Sequence, residues 1–411
     1  MAHGQASRGS LMRPGTPGFV PERLVEAREA RGIPTQLALA SLIEKPRSTI
    51  SRWENGEATP EPEALDVLAR QLNVRRSYFL RPVPAHGSGA YFYRARKSVE
   101  KIVQAAERAR LNWAADISIV MQHYYEFPTF NLPHDIADIN YNTLRNEDIE
   151  AIAEDLRAFW QLGDGPISSV ISVLESRGFI VARDEVGSAR LDGVCHWSEA
   201  DGRPYILLAT DKQSFFRTQM DAAHEMAHAI LHRRVTQQGF ERDFDLIEEQ
   251  AFRLASAFLM PAKTFPLEAK YPTLSGLLSI KERWRTSVKA MIKRCHDLKL
   301  ITDAGATQLY KHYSAKGWSK AEPLDKTYPH DSPQLLGNAI KELVQSGDRS
   351  KQDLLEVEFI IPARDIEQLA NLPSGWFGAK GEIVNFPLVR RPSTGQGAEV
   401  IDLFSKASLK T

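Results

Sequence analysis

Apolar residues fall into two kinds of period along this chain. Between residues 19 and 80 they recur at three- and four-residue spacing in short blocks. RLVEAREARG closes at Gly32, TQLALASLI opens at Thr35, Pro46 to Glu54 closes at Asn55-Gly56, and PEALDVLARQLNV follows. That period is one face of a helix. Thr as an N-cap, and Gly or Asn-Gly as stops, punctuate the blocks as helices. SVEKIVQAAERARLNWAADISIVMQHYYEF predicts a long helix, NEDIEAIAEDLRAFWQL another, and from residue 265 the pattern stays helical to about 316. The compact runs GFIVA and PYILLA predict strands, as do EVEFIIP and EIVNFPLV near the end, with RDIEQLANL a helix between them. PVPAHGSGA, residues 82–90, has the composition of a linker. Residues 1–18, rich in Gly, Ser, Arg and Pro, predict a disordered tail. The fold class expected is mainly α with a smaller α+β component.

One helical block carries chemistry. Residues 224–228 read His-Glu-Met-Ala-His within AAHEMAHAILH. On a helix, positions i and i+4 share a face, so His224 and His228 present two imidazoles to one point. Imidazole is a preferred zinc ligand, and Glu225 is placed as a general base for a hydrolytic water. Two histidines on a solvated face would give the same letters. Here the flanks Ala222, Ala223, Met226, Ala227, Ile230 and Leu231 make the helix a buried one. Burying two histidines and a glutamate without partners is costly, and a metal supplies the partner. A catalytic zinc needs a third protein ligand. IEEQAFRLASAFLMP has a helical apolar stripe with Glu248 near its start and Glu249 beside it. Either glutamate would also suit a solvated first turn. His232 lies one turn beyond His228, as a further ligand, a supporting group or a bystander. No Gly-turn spacing to a third histidine follows, which favours glutamate.

These blocks together resemble the ImmA/IrrE family of metallopeptidases. The resemblance rests on GPISSVISVLESRGFIVA, RPYILLA, AAHEMAHAILH, EEQAFRLASAFLMP, KERWRTSVKAMIKRCHDLKLIT and GWSKAEP, in that order, over about residues 147–322. It implies a zincin-like α+β peptidase fold with zinc as cofactor. His224, His228 and Glu248 would be the zinc ligands and Glu225 the catalytic acid/base. Phe252 stands where the family often has Asn, and FFRTQMD precedes the motif where it often has Arg and Phe. PYILLA, if it edges a sheet, would let a peptide substrate pair with it; an ordinary buried strand reads the same way. WRTSVKAMIKRCHDLKLIT fits either a second helix-turn-helix or a helical wall of the substrate cleft.

The N-terminal blocks resemble the lambda-repressor-like (Xre-type) DNA-binding domain, through STISRWENG, a following Pro and LDVLARQLNV. A five-helix head is implied. Its third helix would enter the major groove with Arg47, Ser48, Ser51 and Arg52 outward, Ile50 and Trp53 in the core, and Gln36 on backbone phosphate. Glu44-Lys45 stands at the turn where the family usually has Gly-Val. A small helical protein-interaction module would share this pattern. The segment is nearly charge-balanced, so the resemblance, and not electrostatics, carries the DNA expectation.

Composition narrows the partners. The chain has 411 residues and a formal net charge of +0, which gives no reason to expect bulk nucleic-acid coating or membrane adhesion. Its two cysteines, Cys195 and Cys295, do not make a disulfide framework and fit a reducing cytoplasm. No apolar stretch approaches a membrane span and no signal core opens the chain. The organisation expected is a tail (1–18), a DNA-binding head (19–82), a linker and helical segment (83–146), a peptidase domain (147–265), a helical extension (266–322) and a small α+β module (323–411). The function expected is a cytoplasmic, homodimeric DNA-binding regulator that recognises a double-stranded operator. Its zinc endopeptidase domain would cleave a repressor-like protein, a partner or itself in stress, mobile-element or toxin–antitoxin control. The competing expectation is a non-proteolytic antitoxin or repressor that uses the peptidase fold to bind its partner.

Overall fold

The computed structural model describes residues 15–95, 101–136, 139–185, 191–210 and 214–378, and the pairs 388–389 and 400–401. The head opens with α1 (Pro21–Ala30), α2 (Gln36–Leu42), α3 (Arg47–Glu54) and α4 (Pro62–Gln71). The fifth helical element is a single 3-10 turn, Arg76–Leu80. Leu24, Leu39, Ile50, Leu65 and Leu68, all fully buried, form its core. The tail expectation over 1–18 lies outside the described residues up to 14. Beyond that it needs correction: Thr16 is buried and bonds the Pro60 carbonyl through both its N–H and its hydroxyl, each 2.8 Å.

The stretch read as linker, residues 82–90, leads into a strand, β1 (Phe92–Ala95). Helix α5 (Lys101–Gln122) follows, then α6 (Asn146–Phe159) and α7 (Val170–Ser176). Strands β2 (Ile180–Asp184), β3 (Leu191–Ser198) and β4 (Arg203–Ala209) complete a four-stranded sheet in the order β1-β3-β4-β2. β3 and β4 form an antiparallel hairpin, β1 runs antiparallel to β3, and β2 runs parallel to β4. The PYILLA strand is therefore internal, and strand addition along it is excluded: both its edges are already bonded.

Helices α8 (Phe215–Leu231), α9 (Gln237–Arg242) and α10 (Phe244–Leu259) follow, and α8 and α10 pack together beneath the sheet. The helical extension is α11 (Phe265–Glu268), α12 (Leu274–Trp284), α13 (Val288–Asp297) and α14 (Asp303–Ala315). Lys281 of α12 is fully buried and bridges Glu322 and Asp325 at 2.8 Å each. Glu322 in turn accepts the N–H groups of Val288 and Lys289, capping α13. The GWSKAEP segment is thus pinned across the extension.

Helices α15 (Leu335–Gln345), α16 (Lys351–Asp353) and α17 (Ala363–Leu369) come next, and α15 and α17 pack on α5 and β2. The strand expected at EVEFIIP is not formed. Leu354–Glu358 is a turn of π-helix, and Phe359, Ile360 and Ile361 fill the core as irregular chain. Of EIVNFPLV, residues 382–387 lie outside the described residues. Leu388–Val389 forms β5, which pairs antiparallel with β6 (Val400–Ile401) in a separate unit, residues 378–411. No helix among the described residues is long and apolar enough to cross a membrane.

Candidate metal centre and DNA-facing helix

Ser214 caps α8, its hydroxyl accepting the Arg217 N–H at 3.4 Å. The helix then runs through the body with His224, Glu225 and His228 fully buried. Helix α10 lies against it and brings up Glu248. His224 Nε2 is 3.0 Å from His228 Nε2 and 3.4 Å from Glu248 Oε2, and His228 Nε2 is 3.2 Å from Glu248 Oε1. Ligand atoms each about 2.0–2.2 Å from a tetrahedral zinc are ~3.3 Å from one another. The three groups match that spacing. Glu249 does not join them; it lines a neighbouring cleft with Asn146 and Arg253.

The hydrogen-bond network explains why this set suits a cation. Gln250 donates its amide to the Tyr141 carbonyl at 2.7 Å, which leaves its Oε1 as an acceptor for His232 Nε2, 3.1 Å away. His232 Nδ1 then accepts from His228 Nδ1 at 3.1 Å. Burial, reinforced by His228 next to it, holds His232 well below the ordinary histidine range, so it is neutral and can play this double role. Donating from Nδ1, His228 turns its Nε2 directly toward a Glu248 oxygen. Burial pushes the Glu248 carboxyl up, but His224 and His228 outweigh it and hold the group well below the usual carboxylate range. Two imidazole nitrogens and a carboxylate buried at this spacing suit a positive ion held between them.

Aromatic rings fix the imidazoles. Phe92 of β1 stacks on His228 with centroids 4.8 Å apart and planes within 7°, and Phe252 of α10 lies 4.4 Å from His224. Glu225 faces β3 at Gly193, where a Cβ would lie 3.1 Å from Glu225 Oε1 and 3.2 Å from the Leu207 carbonyl. Glycine there lets the strand come close to the carboxylate. Phe92, Gly193, His232 and Gln250 thus support the site. Of these, only His232 carried a sequence signal, its spacing of four from His228. Cys195, on the same strand, is buried, and burial together with Glu225 pushes its thiol far up, so it is an inert packing group.

In the head, Thr35 caps α2 by accepting the Ala38 N–H at 3.1 Å. The turn into α3 keeps its shape with Glu44 in the left-handed region, φ 54°. That is the conformation a glycine would adopt without cost. Ile50 and Trp53 are buried, Arg47, Ser48 and Arg52 are exposed, and Ser51 is half-buried. Gln36, also half-buried, donates to Glu54 Oε2 at 3.0 Å. The structure therefore puts four of the five expected DNA-facing side chains on one helix and the fifth beside its far end. Helix α1, not α3, is the one packed on α5. Helices α13 and α14 of the extension line the cleft beside His224, so this segment forms a wall of the body.

Two family models match this chain. Residues 24–79 match the helix-turn-helix family, and residues 174–296 match the IrrE N-terminal-like domain, a peptidase family. No curated protein matches it. The chain joins an Xre-like DNA-binding domain to a domain of the ImmA/IrrE-type metallopeptidase fold.

Proposed function

We propose that this chain is an operator-binding regulator whose second domain is a working zinc endopeptidase. Its target would be a repressor-like protein, a partner or the chain itself, in stress, mobile-element or toxin–antitoxin control. The observation that carries the reading is the convergence of His224, His228 and Glu248, fully or largely buried, with Glu225 on the same helix against Gly193. His224, His228 and Glu248 would hold the metal. When bound, zinc would supply Lewis acidity for a carbonyl and for a water brought toward neutral pKa. Glu225 takes the proton from that water and delivers it to the leaving amine. His232 and Gln250 keep the His228 ring in one tautomer and orientation. The cradle at Gly193 keeps the Glu225 carboxylate from swinging away.

In the head, Arg47 and Arg52 read base edges from the major groove, Ser48 and Ser51 add shorter contacts, and Gln36 meets a phosphate. A homodimer on inverted half-sites about one helical turn apart is the geometry this domain class uses. The test replaces Glu225 by Gln. The variant should keep its zinc and its operator affinity, and lose peptide hydrolysis by roughly 10²–10⁴-fold. Normal regulation of target genes by a Glu225→Gln strain would show that proteolysis is not the working output.

A further inference from the structure

The helix faces that carry the metal ligands continue past the metal. Arg217 and Met220 precede His224 by seven and four positions on α8, and Phe252 and Ser256 follow Glu248 by four and eight on α10. Those spacings keep each set on one face. Both faces run into a single cleft of about 490 Å³, lined also by Tyr310 and Tyr313 of α14. The cleft adjoins the metal centre through Phe252, which lines it and also packs on the His224 ring. Its floor holds an unusual group. Ser256 is 2% exposed, and its hydroxyl has no hydrogen-bond partner among the described residues. A buried hydroxyl is normally bonded, and one without a partner in a residue of a cavity wall marks where a ligand's polar atom belongs.

Charges of both signs line the cleft: Arg217, Lys289 and Lys293 with Asp192 and Asp221. Lys293 pairs with Asp297, and Arg217 donates to the carbonyls of Ser319 and Lys320. Between them, Met220, Phe252 and the two tyrosines offer an apolar, aromatic slot suited to edge-to-face packing of a ring. We propose that this cleft is a substrate subsite next to the scissile bond, selecting a tyrosine side chain whose hydroxyl meets Ser256. The assignment rests on the peptidase reading for its role, but the selectivity can be measured without turnover.

The test uses two peptidyl hydroxamates, identical except for tyrosine or phenylalanine beside the metal-binding group, titrated calorimetrically into the zinc-loaded full chain. The tyrosine compound should bind about tenfold tighter, the scale of one net hydrogen bond. Ser256→Ala should erase that preference without lowering the melting temperature, since it removes an unbonded group. Phe252→Ala should weaken both compounds. Equal binding of the two by the wild type, failure of both to bind, or a preference that survives Ser256→Ala would each overturn the proposal. Selective binding with no peptide hydrolysed would uphold the subsite and bring down the enzymatic reading. Hydrolysis indifferent to tyrosine would do the reverse.

Discussion

His228 is held from three directions: Phe92 covers one face of its ring, His232 accepts from its Nδ1, and Glu248 stands before its Nε2. The relay ends on the Tyr141 carbonyl, so the proton pattern is set by a main-chain group that cannot titrate. Gln250→Leu breaks the relay while keeping the side chain's approximate bulk. Zinc affinity, read by chelator competition, should fall about 10–100-fold, as loss of a ligand's supporting partner does elsewhere. Unchanged affinity would mean that packing alone orients the ring. His224→Ala should do more and lose most of the metal. A second histidine matters for pH. Burial lowers His86 to about 4, with Glu26 pulling it back up and His196 pushing it further down. A histidine depressed in the folded state contributes stability that is complete above about 6.5 and is lost as pH falls from 6.5 toward 4. A shift of that size corresponds to at most about 3 kcal/mol. Urea unfolding of the wild type should weaken across that window, and His86→Leu should flatten the slope.

At the scale of elements, the helix-turn-helix shows what periodicity reveals and what it hides. Helices α1 to α4 were legible because each has an apolar face and a stop signal: Gly32, Asn55-Gly56, or a turn residue. The turn at Glu44-Lys45 was less so, because Glu44 pays a strain of about 1–2 kcal/mol to adopt a conformation that glycine takes freely. Strand β1 was hidden by its brevity behind a Pro- and Gly-rich stretch. β3, LDGVCHWS, was hidden because Gly193, kept small by Glu225, and polar residues interrupt its pattern. The opposite error arose at 356–362, where an apolar run fills the core without pairing. The exposed positions of α3 make the operator prediction specific. Arg47→Ala or Arg52→Ala should cost ~1–3 kcal/mol at a cognate site where the residue reads a base. Selection of a site from random duplexes, followed by titration at several salt concentrations, separates this from a phosphate contact, which weakens every sequence alike.

The arrangement of head and body rests on pairs distant in sequence, which no local pattern announces. Arg23 of α1 bonds Asp116 of α5 at 2.7 and 3.1 Å and Glu26 at 2.6 Å, all buried. Arg31 bonds Asp365 of α17 at 2.9 and 2.8 Å. Asp365 also pairs with Arg110 of α5, which pairs with Asp184 at the end of β2. A chain of buried charges therefore runs from the DNA-binding head through α5 and α17 to the sheet of the peptidase domain. Such charges need not stabilise the fold relative to an apolar interface, but losing one partner strands the other in a dry site. Asp116→Ala removes two buried bonds of Arg23 but leaves it Glu26 and the carbonyls of Arg81 and Pro82, and should cost ~1.5–3 kcal/mol. The location of the loss is the informative part. If head and body form one cooperative unit, amides of α1 and α5 should lose hydrogen-exchange protection together and by similar factors. Should α1 open while α5 keeps its protection, the head is an independent module tethered to the body, and operator binding would have no mechanical route to the metal centre.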